Sequence, residues 1–133
     1  MSTKSYTGIN IQYPISGEIL AQKKTIETRT YPIPQKYIGK TLLFVETPGT
    51  KGKFKSRIVA KIVFAESFPY KSKSEFYADV GRHLVTSSSP WAWSDDKPKW
   101  GWVVKKITLL KTPVALKKRI GIKFTNGLVL HEN

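Results

Sequence analysis

The run KFKSRIVAKIVFAE, residues 53–66, alternates apolar side chains with cationic or polar ones at a period of two, a spacing that lines up one face of a strand and scatters around a helix. Phe54, Ile58, Ala60, Ile62 and Phe64 are expected on one face, and Lys53, Lys55, Arg57 and Lys61 on the other. The chain is thereby committed to a long strand with an apolar side to cover and a basic stripe outside. The stripe reads in two ways: four candidate phosphate ligands, or a solvated sheet face.

Other segments supply partners for that strand. TLLFVET, residues 41–47, reads as a buried strand and is joined to the long one by the turn PGTKG. TIETRTY, residues 25–31, is β-branched and alternating, which places Glu27 and Arg29 on one face and Ile26 and Thr28 on the other. Before it, ISGEILAQKK has a helix signature: Ser16 as N-cap, Glu18 at the positive end, Ile15 stapled onto Leu20, and Lys23 and Lys24 at the carboxyl end. A second helix is expected from Ser74, with Phe76, Val80 and Leu84 on its apolar side and His83 partly exposed. WGWVV opens a further strand after a loop that ends near Lys99, and Asn126-Gly127 between apolar runs predicts a tight hairpin. Short strands with two helices inserted early and midway predict an α+β fold, a small mixed β-barrel with flanking helices.

Composition narrows the function. The chain has 133 residues, the size of one domain. Lys and Arg number 23 against 9 Asp and Glu, a net charge of +14, which attracts polyanions, chiefly nucleic acid, through counterion release. With zero cysteines, disulfides and thiolate metal sites are excluded. His83 and His131 lie too far apart to suggest a metal-binding pair, so no metal and no cofactor are expected. No apolar run approaches a membrane span and the first residues lack a secretory apolar core, which leaves a cytoplasmic protein without membrane contact as the expectation. It is expected to work as a monomer.

Four tryptophans fall between positions 91 and 102. Trp102 is expected in the core. Trp91 and Trp93, on a polar loop, are either stacking platforms for unpaired bases or anchors that bury their own indoles. The Asp95-Asp96 pair reads as loop solvation.

IQYPISGEILAQKKTIETRTYP resembles the opening of an ASCH domain, a PUA-like module whose signature Gly-x-Lys-x-x-Glu-x-Arg follows its first helix. Lys24, Glu27 and Arg29 match, and Gln22 stands where the glycine is usual. The resemblance continues in order through YIGKTLLFVE, IVAKIVFAESFPY, WGWVV and PVALKKRIGIKF, so that one ASCH/PUA-like domain spans residues 1–133. It implies a PUA-like β-barrel with a cleft, lined by the signature, between barrel and helices. It also implies an association with RNA, and in some members hydrolysis of nucleic acid or a nucleoside.

Two functions follow. As a binding module, the protein holds single-stranded RNA or a nucleoside in a cleft made by Lys24, Glu27, Arg29, Trp91 and Trp93. As an enzyme it is similar to the subgroup that deacetylates N4-acetylcytidine with a lysine, a threonine and a glutamate. Lys24 matches that lysine, but the position expected to carry the threonine is Glu27, and alternation aims Thr28 away from it. A ribonuclease would draw on Lys24, Glu27 and Tyr70. The signature can equally be a structural ion pair tying the first strand to the helix. Binding is the preferred reading.

Overall fold

The computed structural model describes residues 2–116 and 123–132. In chain order it contains β1 (Ser2–Gln12), α1 (Ile15–Leu20), β2 (Ile26–Arg29), β3 (Leu42–Thr47), β4 (Arg57–Tyr70), α2 (Lys73–Ala78), α3 (Val80–His83), β5 (Lys99–Ala115) and β6 (Phe124–Glu132), with a 3-10 turn at Gln35–Tyr37. The six strands form one sheet in the order β2-β5-β4-β3-β1-β6. β1 and β3 run parallel and every other pair antiparallel. A parallel pair needs a crossover, here supplied by α1, β2 and the 3-10 turn. The mixed α+β architecture is as expected. β2 and β6 are the two edges of the ladder, and no pairing closes them into a barrel among the described residues.

β3 explains why TLLFVET is apolar at successive positions. Leu42 and Phe44 pack with Ile62, Phe64 and Trp102 on one side, whereas Leu43 and Val45 pack with Ile58, Leu128 and Leu130 on the other. Both faces of a central strand are therefore covered, and each large side chain buried there contributes about 1.5–3 kcal/mol.

The long strand departs from simple alternation. It begins at Arg57, so Phe54, Lys53 and Lys55 belong to the preceding loop. A register shift between Phe44↔Ala60 and Val45↔Ile58 inserts Val59 as an extra residue. One inserted residue exchanges the two faces, which is why Ile58 joins Leu43 and Val45 while Ala60, Ile62 and Phe64 join Trp102.

Asn126-Gly127 does not turn a hairpin. It lies inside β6, where Tyr6 pairs with Leu128 and Gly8 with Thr125, leaving two residues of β6 opposite Thr7 alone. Gly127 takes a φ of +66° there, a left-handed bulge conformation that glycine adopts without strain. Turn and bulge demand the same residue type, so the dipeptide alone could not distinguish them. PVALKKRIGIKF lies partly outside the described residues, at 117–122.

The helix starts also differ from the sequence reading. Pro14, not Ser16, precedes α1; Ser16 is buried within it and donates a 2.5 Å hydrogen bond to the Glu46 carboxylate. Ser72, not Ser74, caps α2 by accepting from the Glu75 amide at 3.0 Å. The Glu75 side chain accepts in turn from the Lys71 amide, one residue before the cap, at 3.4 Å. Among the described residues no helix is long and apolar enough to cross a membrane.

Candidate functional site

The site begins where α1 ends. Gln22 adopts φ +60°, the left-handed conformation for which glycine would be the unstrained choice. The Lys23 and Lys24 amides then both donate to the Glu18 carbonyl, at 3.0 and 3.1 Å. That tight reversal carries Lys24 inward, where it is 3% exposed and its ammonium donates to the His83 carbonyl. Next, the Thr25 amide donates to the Arg82 carbonyl at 2.9 Å and the Val104 amide to the Thr25 carbonyl at 3.0 Å. β2 is so fixed between the end of α3 and β5.

Along β2, Glu27 lies opposite Trp102 and Arg29 opposite Trp100. Glu27 Oε2 accepts from Arg29 Nη2 at 3.1 Å, and Oε1 from the Thr28 amide at 3.2 Å. Arg29 also donates to the Asn10 carbonyl at 2.9 Å and to the Tyr31 hydroxyl at 3.4 Å, and its guanidinium lies 5.5 Å from the Trp102 ring. A buried charge of this kind is tolerated when paired and hydrogen-bonded. Glu27 and Arg29 are thus paired within β2, the bond of Arg29 to Asn10 reaches β1 rather than the helix α1, and both residues line a cavity.

That cavity measures about 320 Å3. Lys24, Glu27, Thr28 and Arg29 line it from the signature; Asn10 and Gln12 come from β1 and Glu18 from α1. Leu84, Val85, Ser89 and Trp91 close it from the segment after α3. Burial pushes the Lys24 ammonium below the ordinary lysine range, with Glu27 and Glu18 opposing that shift. The formal charges of the lining cancel, since Glu18 and Glu27 stand against Lys24 and Arg29.

The tryptophan loop divides. Trp91 is 45% exposed and lines the cavity. Trp93 packs 5.8 Å from Phe76 and donates from its indole to Asp95 at 2.8 Å, outside the cavity lining. Trp102 is fully buried. Thr28 reaches the lining through a strand position that alternation had turned away from Glu27, and its amide is the group bonded to that carboxylate.

Tyr70 stands apart from the cleft. It is buried with Phe76 and Val85, and its hydroxyl is bonded to the Asp79 carboxylate. Burial, then Asp79, push its phenol far above the ordinary range, so it is poorly suited to proton transfer near neutrality. His83, expected to be partly exposed, is fully buried and stacked 4.1 Å from Phe76. Its Nδ1 accepts from the Val85 amide at 2.9 Å, which leaves Nε2–H to donate to the Phe76 carbonyl at 2.6 Å.

The basic stripe separates as well. Arg57 is committed to the buried Glu46 at 3.0 Å and lies 4.0 Å from the Phe54 ring. Lys53 and Lys55 are exposed on the loop before β4, and Lys61 lines a second concavity beside Tyr6. The sequence reading did not anticipate Lys99. It is buried, and its ammonium donates to the Trp91 carbonyl at 2.6 Å. Two lysines therefore grip the ends of the segment that closes the cavity: Lys24 at His83 and Lys99 at Trp91. Among the described residues no group of three or more His, Cys, Asp or Glu side chains is arranged to hold a metal ion.

No protein-family model and no curated protein sequence matches this chain. Solved structures do. The crystal structure of ASCH from Zymomonas mobilis is similar at 13% sequence identity with a TM-score of 0.67, over 90% of this chain and 85% of that one. A single-substitution variant of the same protein is similar at 12% identity and TM-score 0.67, over 90% of this chain and 88% of that one. The six-stranded mixed sheet with its short helices thus has the fold of the Zymomonas mobilis ASCH structures.

Proposed function

We propose that the protein is an RNA-binding module whose cleft receives one unpaired base or nucleoside of a single strand. The observation that carries this reading is the cavity of about 320 Å3 with Trp91 at its edge. Its volume lies at the small-ligand end of the usual range of about 300–1,000 Å3. A base is flat, uncharged and carries both donors and acceptors. The cleft offers an exposed indole for stacking, a charge-balanced set of polar groups from Lys24, Glu27, Arg29 and Asn10, and apolar contact from Val85 and Leu84. The net charge of +14 supplies the attraction for a polyanion, and the likeness in fold to ASCH domains supports the same class of partner.

A second reading, hydrolysis of a modified nucleoside such as N4-acetylcytidine, is favoured by one feature: burial lowers the pKa of Lys24 beside Thr28 and Glu27, as a lysine that acts on a carbonyl requires. Binding is preferred because Lys24 is engaged by His83, and both Glu27 oxygens by Arg29 and the Thr28 amide.

The test is a titration of labelled single-stranded RNA, with N4-acetylcytidine turnover assayed in parallel. Trp91→Ala is expected to weaken binding by about 1–3 kcal/mol and to leave melting unchanged, because the indole is half exposed. Wild-type affinity in that variant contradicts the reading, and turnover lost in Lys24→Ala establishes the hydrolase instead.

A further inference from the structure

The loop between β3 and β4, residues 48–56, adjoins the cleft through the end of β1. The Tyr13 amide donates to the Thr47 carbonyl at 2.8 Å, which brings the start of the loop beside Gln12, a residue of the cavity lining. The loop backbone lies against that side chain: a Cβ built at Gly49 would stand 2.5 Å from Gln12 Nε2. Tyr13, 37% exposed, meets the Phe54 ring edge to face with centroids 5.5 Å apart. The Arg57 guanidinium lies 4.0 Å from the centre of the Phe54 ring and is itself bonded to Glu46 at 3.0 Å. The Gly52 amide closes the turn on the Pro48 carbonyl at 2.8 Å.

Anchored through Phe54, the loop turns three cations outward. Lys51, Lys53 and Lys55 are exposed, whereas Gly52, Phe54 and Ser56 between them are partly covered. Among the described residues no carboxylate is paired with any of the three lysines. Glu46, at the end of β3, is already occupied by Arg57 and Ser16. Like charges held on one short loop repel one another unless an anion joins them. A lysine offers a phosphate a point charge, and such a contact positions the strand without reading its bases. The cleft lining is formally neutral, so a strand whose base lies in it gains its attraction from cations beside the cleft, and this loop begins at the rim.

We infer that loop 48–56 is the phosphate-binding surface of the protein: the RNA whose unpaired base enters the cleft passes over Gln12 and Tyr13 and lays its backbone along Lys51, Lys53 and Lys55. This inference rests on the RNA-binding reading and adds to it the side on which the strand leaves the cleft, together with a division of labour between a neutral site for the base and a cationic loop for the backbone.

The experiment compares the salt dependence of binding to a labelled oligouridylate for three proteins: wild type, the loop variant Lys51→Gln, Lys53→Gln and Lys55→Gln, and a charge-matched control from β1 and β5, Lys4→Gln, Lys105→Gln and Lys106→Gln. Each neutralised phosphate contributes about 0.7 to the log–log slope for a single strand, so leaving three phosphates without their lysines reduces it by about 2. The loop variant is expected to show that reduction while its Trp91 indole still shifts in NMR spectra at saturation, and the control to keep a slope close to wild type. Both variants are expected to melt near wild type, since all six side chains are exposed. Should the loop variant melt early, Lys53→Gln alone is expected to lower the slope by about 0.7. Equal reductions in loop variant and control overturn the inference in favour of diffuse charge. A loop variant with the wild-type slope overturns it outright and leaves the base-binding cleft standing. A wild-type protein that does not bind the oligouridylate at low salt overturns the RNA reading and the inference together.

Discussion

Lys24 and His83 meet at one hydrogen bond, the lysine ammonium on the histidine carbonyl, and burial disfavours the charged form of both side chains. For His83 the consequence falls within an accessible pH range. Burial lowers its pKa from 6.5, while the bond to the Phe76 carbonyl opposes that shift. Between the lowered folded value and 6.5 the unfolded chain takes up a proton that the folded chain does not, so stability is lost as pH falls through that window. Thermal melts from pH 7 to pH 5 are expected to show this decline. His83→Phe, which keeps the stack on Phe76 and removes the titration, is expected to be less stable at pH 7 and to show a flatter profile over the same window; an unchanged slope would assign the acid sensitivity to other groups. Alternation placed Glu27 and Arg29 on one face and Lys24 at the junction of helix and strand, and the resemblance to the ASCH signature brought the three out as a site. It could not bring out Lys99, whose partner is a backbone carbonyl eight positions away in a folded-back loop. His83 misled for a related reason: its partners are the carbonyl of Phe76 and the amide of Val85, and backbone groups leave no mark in a pattern of side chains.

Elements were readable where the apolar pattern runs unbroken, alternating or continuous, and misread where a single residue is inserted. The signature strand, TLLFVET and the strand that opens at Lys99 all occur as the apolar pattern suggests. The bulge at Val59 and the one at Gly127 are invisible to periodicity, since each changes the phase without changing the composition. At the end of α1 the backbone is left-handed at Gln22, with φ +60°, although the residue carries a Cβ. A residue with a Cβ is strained there by about 1–2 kcal/mol, and glycine's greater freedom in the unfolded chain offsets about 0.4–1 kcal/mol of the relief. Gln22→Gly is accordingly expected to stabilise the protein by about 0.5–1 kcal/mol in chemical denaturation, with RNA affinity unchanged. A loss of stability would show that the glutamine side chain contributes more than its backbone costs.

Across the whole molecule, charge and chemistry are distributed unevenly. A chain of net charge +14 keeps its signature cavity formally neutral. The total was plain from composition. Its partition was not, because it depends on which strands the crossover makes neighbours: β3 between β1 and β4, and β5 between β4 and β2. The central claim, that the signature cleft accepts a base of single-stranded RNA, is tested most directly by two-dimensional NMR of the labelled protein during titration with an oligouridylate. The Trp91 indole and the amides of Thr28, Val85 and Ser89, all on the cavity lining, are expected to shift in a saturable manner, while Trp93, packed on Phe76 outside it, remains nearly still. Saturable binding that leaves the Trp91 indole and the Thr28 amide unmoved would contradict the claim.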